Sequence, residues 1–154
     1  MSQVVSLRLP NETAERLRVA ARRTGRTLNE AACRSLEEWL RQEEFADIEF
    51  RNFNGERYAC LKGALPLWQL IMVARDYGMV ARDYGMDAEK TAAHFRFPLH
   101  RIKAAFHYYE AYPQEIDQAI ADNDAMTFDK LKRLLPQLEA IVLPPSVQEG
   151  ESAA

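Results

Sequence analysis

Long hydrophobic runs are missing from this sequence, and so are most signatures of chemistry. No apolar run reaches the roughly 20 residues that a bilayer-spanning helix needs, and no short apolar segment follows the start as in a secretory leader. The expectation is a cytoplasmic protein with no membrane partner. Cysteine is scarce: Cys33 and Cys60 lie in different segments without CxxC spacing. Reduced structural thiols are expected there, not a disulfide or a metal pair. There is no glycine-rich phosphate loop, no nucleophile motif and no pair of acids with an obvious cleft. His94, His100 and His107 are the only histidines. His100 and His107 are seven apart, whereas ligands on one helix are more often three or four apart, and no cysteine or acid completes a set. Enzymatic activity, a bound metal and a cofactor are therefore not expected.

What is present is an ordinary globular composition. The chain has 154 residues, 47% hydrophobic and 28% charged, enough for one domain or two small ones. The formal net charge of −3 does not suggest nucleic acid, but its distribution does. Residues 1–36 hold seven arginines (Arg8, Arg16, Arg18, Arg22, Arg23, Arg26, Arg34) against Glu12, Glu15 and Glu30, an excess of four positive charges. A local basic patch is the footprint of a DNA-binding module even in an acidic chain.

Residues 4–10 read VVSLRLP. Val5, Leu7 and Leu9 fall on one face, Val4, Ser6 and Arg8 on the other, which predicts a half-buried strand. Pro10 ends it. Asn11 suits an N-cap, and a first helix follows with Leu17, Ala20 and Ala21 as its apolar face. Gly25 suits the left-handed position after a helix. Thr27, with Glu30 three residues on, forms a capping box for a second helix. Leu28, Ala31, Ala32, Ser35, Leu36, Trp39 and Leu40 are its predicted buried stripe. A lone strand with two helices satisfies neither its strand edges nor both helix faces, so it must pair with a second copy.

VSLRLP, TGRTLNE and the spacing between them, over about residues 3–43, resemble the ribbon-helix-helix family of bacterial repressors and antitoxins. The resemblance implies two chains pairing their strands into a ribbon that enters the major groove of operator DNA. Val4, Ser6 and Arg8 would then face the bases, with Arg8 the strongest candidate because guanidinium holds guanine O6 and N7 together. Thr27, Leu28 and Asn29 would hold a phosphate through backbone N–H groups and the helix dipole. Val4 stands where a polar residue is often found. The competing reading is a dimerisation domain with a solvated arginine face.

The character changes over residues 42–57, and a domain boundary is expected near residues 43–47. Asn54-Gly55 is a strong turn signal, so residues 47–53 and 56–61 are a candidate hairpin. From Pro66 the pattern is helical, with Leu67, Leu70, Ile71 and Ala74 as one stripe. Asp87 can cap a short helix over Ala88–Phe95. Pro98 opens another, with Ile102, Ala105, Phe106 and Tyr109 at core spacing. Helix, turn, short helix, turn, helix is a helix-turn-helix outline. The segments GERYACLKGALPLWQL, MDAEKTAAHF and HYYEAYPQEIDQAI, over about residues 46–121, resemble a small bacterial domain family usually found as VapB-type antitoxins. The resemblance implies a neighbouring PIN-type nuclease toxin as partner.

Asp122-Asn123-Asp124 predicts a break, after which Thr127 caps a helix over residues 128–140. Leu131, Leu134, Leu135 and Leu138 give that helix an apolar face, with Lys132 and Arg133 beside it. It either packs on its own domain or clasps a toxin groove. Under the antitoxin resemblance, Arg133 or Lys132 would enter the acidic metal centre of the nuclease.

Residues 72–86 read MVARDYGMVARDYGM, an unchanged tandem copy of seven residues. Two such copies are too short for a solenoid. They fit an insertion into one helix, most simply a duplication of seven codons. Seven residues are close to two turns, so the helix can lengthen by roughly 10 Å and keep its face, with Gly78 in its interior. The alternative is that one copy loops out.

The expected architecture is mainly α. A dimeric ribbon-helix-helix spans residues 1–44 and a helix-turn-helix-like domain residues 45–121. A partner-binding segment spans residues 122–145, and residues 146–154 are a disordered tail. The expected function is a type II antitoxin and operon autorepressor, a homodimer or higher oligomer, whose duplication alters neutralisation or assembly. The alternative is a plain transcriptional regulator whose second domain oligomerises or binds DNA. A structural adaptor that binds only protein is the third class.

Overall fold

A computed structural model describes residues 3–53, 55–77, 86–126, 128–137 and 139. It is mainly helical with one small antiparallel sheet. Two compact units divide it, the first extending to Ile120 and the second beginning at Ala121.

In the first unit, helix α1 (Asn11–Arg23) and helix α2 (Leu28–Glu44) precede a hairpin of β1 (Ile48–Phe53) and β2 (Glu56–Leu61). Helices α3 (Leu67–Tyr77), α4 (Ala88–Phe95), α5 (Leu99–Ala111) and α6 (Pro113–Asp124) follow. The hairpin pairs Ile48 with Leu61 through to Phe53 with Glu56, as the Asn-Gly signal predicts. Only two residues turn the chain. Gly55 takes a positive φ of 96°, and its N–H donates to Asn52 Oδ1 at 2.9 Å.

The core lies between the hairpin and α3–α6. Leu61, Leu67, Leu70, Ile71, Ala74, Ile102, Ala105 and Tyr108 are fully buried, with Ile48, Ala59 and Ile116 almost so. The predicted stripe of α3 is therefore all core. On α5 the buried aromatic is Tyr108, while Phe106 and Tyr109 are half-buried. Asp87 caps α4 as expected, its side chain accepting from the N–H groups of Glu89 and Lys90 at 3.0 Å each. These bonds, the Lys90 amide first, hold the Asp87 carboxyl below its ordinary pKa.

Residues 3–10 form no strand in the single chain, where Val4, Val5, Leu7 and Leu9 are exposed; the expected strand is one that pairs with a second copy. A strand segment without a neighbour has no partner for its backbone groups. Other expectations are corrected. Helix α1 begins at Asn11 itself, with Pro10 before it and no side-chain cap. The stripe of α2 is buried only at Ala31, with Ala32 half-buried: Leu28, Leu36, Trp39 and Leu40 are all exposed. The break expected at Asp122-Asn123-Asp124 falls just after it, since α6 ends at Asp124 and residues 125–126 are not helical.

Between α2 and the hairpin, Phe45 packs into the core. Phe45 is buried, with its ring 5.1 Å from Tyr108, 5.3 Å from His107 and 5.8 Å from Tyr112. Cys33 is exposed and Cys60 buried, both as free thiols.

In the second unit, α7 spans Phe128–Leu134. The sequence predicts a helix to Ala140, but Pro136 supplies no N–H and disfavours helical backbone at Leu135, so it stops short. Thr127, Leu138 and the tail after residue 139 lie outside the described residues, as do residues 78–85, which include the whole second copy of the repeat. The first copy continues α3 as far as Tyr77. No helix among the described residues is long and apolar enough to cross a membrane.

Candidate nucleic-acid interface

The front of the first unit carries the residues that the sequence places at DNA. Val4, Ser6 and Arg8 are all exposed. Helix α1 ends on Gly25, at φ 63°, where Gly25 N–H donates to the Arg22 carbonyl and Arg26 N–H to the Ala21 carbonyl. This is the paired bonding of a Schellman end.

The capping box of α2 is complete. Glu30 N–H donates to Thr27 Oγ1 at 3.2 Å, and the Glu30 carboxylate accepts from Thr27 N–H at 2.8 Å and from the Thr27 hydroxyl at 2.9 Å. The Thr27 amide, and after it the hydroxyl, hold Glu30 below its ordinary pKa. This geometry sharpens the phosphate expectation. The Thr27 amide is already taken by Glu30. Of the expected trio only Leu28 and Asn29 present amides that no intrahelical carbonyl satisfies. The Glu30 carboxylate beside them opposes an anion.

The arginines of the front divide by partner. Arg18 pairs with Glu15 on the exposed face of α1. Arg34 points to the body of the unit. Its Nε donates to Glu38 at 2.9 Å and its Nη2 to the Arg57 carbonyl at 3.1 Å. Arg57 reaches the other Glu38 oxygen at 2.7 Å and the Phe50 carbonyl at 3.1 Å. The side chain of Glu38 is 11% exposed, so one buried carboxylate ties α2 to both strands. Arg34 therefore belongs to the interior and not to a DNA face.

Two further clusters join the helices, and both use the YYEAYPQEID segment. Arg41 on α2 donates to Tyr108 Oη at 3.0 Å, to Glu115 and to Glu37, and its guanidinium lies 3.8 Å over the Tyr112 ring. Burial alone would lower the Arg41 pKa, but the bonds to Glu37, Glu115 and Tyr108 reverse this, and the net shift is upward. Burial and the Glu115 charge raise the Tyr108 pKa. In parallel, Arg75 on α3 donates to Tyr109 and to Asp117. Burial opposes the Arg75 charge, and the Asp117 and Tyr109 bonds outweigh it, so its pKa is also raised. Consecutive tyrosines thus serve two arginines from different helices. Sequence reasoning missed both clusters. The available signal was a tyrosine pair followed seven and eight residues later by Glu115 and Asp117.

The expected partner-binding residues belong to the second unit. Leu131 is half-buried, and Lys132, Arg133 and Leu135 are exposed. Helix α7 has only two turns to present them. Among the described residues no three His, Cys, Asp or Glu side chains are grouped to hold a metal.

The class that the fold defines is a mainly α protein with a two-stranded antiparallel sheet and a basic, apolar front. No known protein family, curated protein or solved structure matches the chain.

Proposed function

We propose that the chain is a DNA-binding autorepressor of the antitoxin type, acting as a dimer through residues 3–44. The observation that carries the reading is the exposed apolar surface of the front. Leu28, Leu36, Trp39 and Leu40 on α2, and Val5, Leu7 and Leu9 before α1, are all at least 43% exposed in the single chain. A soluble protein does not leave so much aliphatic and aromatic surface open without a use for it. A second copy offers the same set in return and supplies the missing strand edge. Pairing would leave Val4, Ser6 and Arg8 on the outer face of the ribbon, and the amides of Leu28 and Asn29 at a flanking phosphate.

Neutralisation of a PIN-type ribonuclease rests on the resemblance of residues 46–121 to VapB-type antitoxins. Lys132, Arg133 and the leucines of α7 are the segment offered to it. Two experiments test the reading. Gel mobility shift with the DNA upstream of the chain's own gene is expected to show binding that Arg8→Ala weakens at least tenfold. Unchanged binding removes the ribbon from the DNA interface. Co-expression with the adjacent reading frame is expected to yield a complex and relief of toxicity. Separate elution of the two proteins, with no relief, removes the antitoxin role.

A further inference from the structure

We infer that the α4–turn–α5 unit is a second duplex-DNA contact surface, separate from the front. The first observation is a charge gap. From Lys90 to Tyr109 the chain has no acidic residue, though it is acidic overall with 23 acids in 154 residues. The same stretch holds Lys90, Arg96, Arg101, Lys103 and all three histidines. The structure places these on consecutive elements that pack together, since α3, α4 and α5 contact each other pairwise.

The second observation is which face of α5 they occupy. Ile102, Ala105 and Tyr108 are fully buried. His100, Lys103 and His107 stand three and four apart on the opposite, exposed side. Lys90 and Arg96 are exposed before them. Arg101 is engaged elsewhere, donating to the Lys62 carbonyl and lying 5.2 Å over the Phe97 ring. Asp87 lies 3.6 Å from the Lys90 ammonium, and Glu89 and Glu110 bound the patch. The clear positive edge is therefore Arg96 and Lys103, at the turn and the first turns of α5, with the exposed His100 between them. In a helix-turn-helix, these are the positions that meet base edges and phosphates.

The third observation is strain at the turn. Three residues, Arg96, Phe97 and Pro98, join the helices. Arg96 is left-handed, at φ 54° and ψ 39°, with Arg96 N–H bonded to the Ala93 carbonyl and Phe97 N–H to the Ala92 carbonyl. This is the bonding that ends α1, where the left-handed residue is Gly25. Glycine takes this conformation freely and arginine does not. An arginine held where glycine fits better is backbone strain kept at a surface position, and strain of that kind points to use. A cation at this place is what a phosphate beside the turn requires.

Duplex DNA fits better than an acidic protein or RNA, because a helix-turn-helix whose second helix, α5, is exposed and basic matches the major groove in width. The test uses the full chain and a labelled duplex of about three helical turns, followed by fluorescence anisotropy over a range of salt. Arg96→Gly and Lys103→Ala are each expected to weaken binding several-fold and to lower the salt slope by about 1. Arg96→Gly is also expected to hold or raise the thermal midpoint, so its binding loss is not a folding loss. Unchanged affinity and slope in the double variant overturn the inference. Tighter binding of a single-stranded RNA of equal length also overturns it. So does capture of an acidic protein that Lys103→Ala abolishes while duplex binding stays intact. Arg8→Ala separates this surface from the front. If Arg8→Ala alone removes all duplex binding and the Arg96 and Lys103 variants match the parent, the front stands and this surface falls. If Arg8→Ala changes nothing and the double variant loses binding, this surface stands and the front falls.

Discussion

Glu37 and Glu38 are adjacent, chemically identical and opposite in surroundings, which makes them a sharp test of how α2 is held. Glu38 is 11% exposed and accepts from Arg34 at 2.9 Å and Arg57 at 2.7 Å. Glu37 is 60% exposed and meets Arg41, which also has Glu115 and Tyr108. Each charge-assisted bond to Glu38 contributes about 1.5–3 kcal/mol when shielded. Arg34 and Arg57 are about a third exposed, however, and each keeps a backbone carbonyl after the carboxylate is removed. Rehydration of the two guanidiniums recovers much of the loss. Glu38→Ala should therefore cost about 2 kcal/mol, and Glu37→Ala less than about 0.5 kcal/mol. In a chain of this size, about 2 kcal/mol lowers the thermal midpoint by roughly 4–8 °C. Urea unfolding followed by tryptophan emission measures both variants. A Glu38→Ala loss within about 0.5 kcal/mol of the Glu37→Ala loss would refute the clamp.

Three other outcomes are expected. The folded pKa of Glu30 lies below its unfolded value of about 4.3, so its capping contribution is complete above that value and is lost as pH falls through the folded pKa. The stability gap between the parent and Glu30→Gln should therefore close below about pH 4; a gap constant with pH contradicts the capping box. Burial pushes the Cys60 thiol up to about 11 while Cys33 is exposed. Iodoacetamide at about pH 8 should thus label Cys33 alone until denaturant is added, read by peptide mass; labelling of Cys60 in the folded chain contradicts its burial. Arg75 and Asp117 are 38% and 47% exposed, so a double-mutant cycle between them should give only about 0.5–1 kcal/mol of coupling. The same cycle with Arg82, its copy in the repeat, should give none; equal coupling reverses the assignment of the first copy to this site.

Local signals in the sequence carried local structure well. The hairpin signalled by Asn-Gly, the Thr27–Glu30 box, the Asp87 cap and the stripe from Leu67 to Ala74 are all found in the structure. Each depends on residues within a few positions of one another. Features that depend on distant residues were not legible. Glu38 reads as one more acid in an exposed run, and nothing in the sequence says that Arg57, across a turn of chain, will meet it. The partners of Arg41 and Arg75, at Glu115 and Asp117, lie further still along the chain. Tyr108 and Tyr109 are adjacent, so periodicity alone did not decide which of them points inward. The helix end at Leu134 was legible in principle, because Pro136 is the breaker, but the leucine spacing continues through it and masked the stop.

Helix α2 brings these threads together. A surface helix ordinarily turns its apolar stripe to the protein and its charges to water. Helix α2 does the reverse over much of its length. Arg34, Glu38 and Arg41 face the body, while Leu28, Leu36, Trp39 and Leu40 face out. Polar contacts alone attach a helix weakly unless they are shielded and shared, and here each inward charge has at least two partners. The outward stripe, 43–55% exposed, contributes to the single chain only about half of what full burial would. Covering it would add about 1.5–3 kcal/mol for each large side chain fully buried, and roughly half that where half the side chain is already shielded. The gain from pairing two such stripes is therefore comparable to the whole stability of a small domain. In the proposed dimer, the same helix is the seam between copies on one side and the anchor of the body on the other. With Phe45 buried immediately after it, the helix leads directly into the body of the unit, and Glu38 and Arg57 tie it to the hairpin.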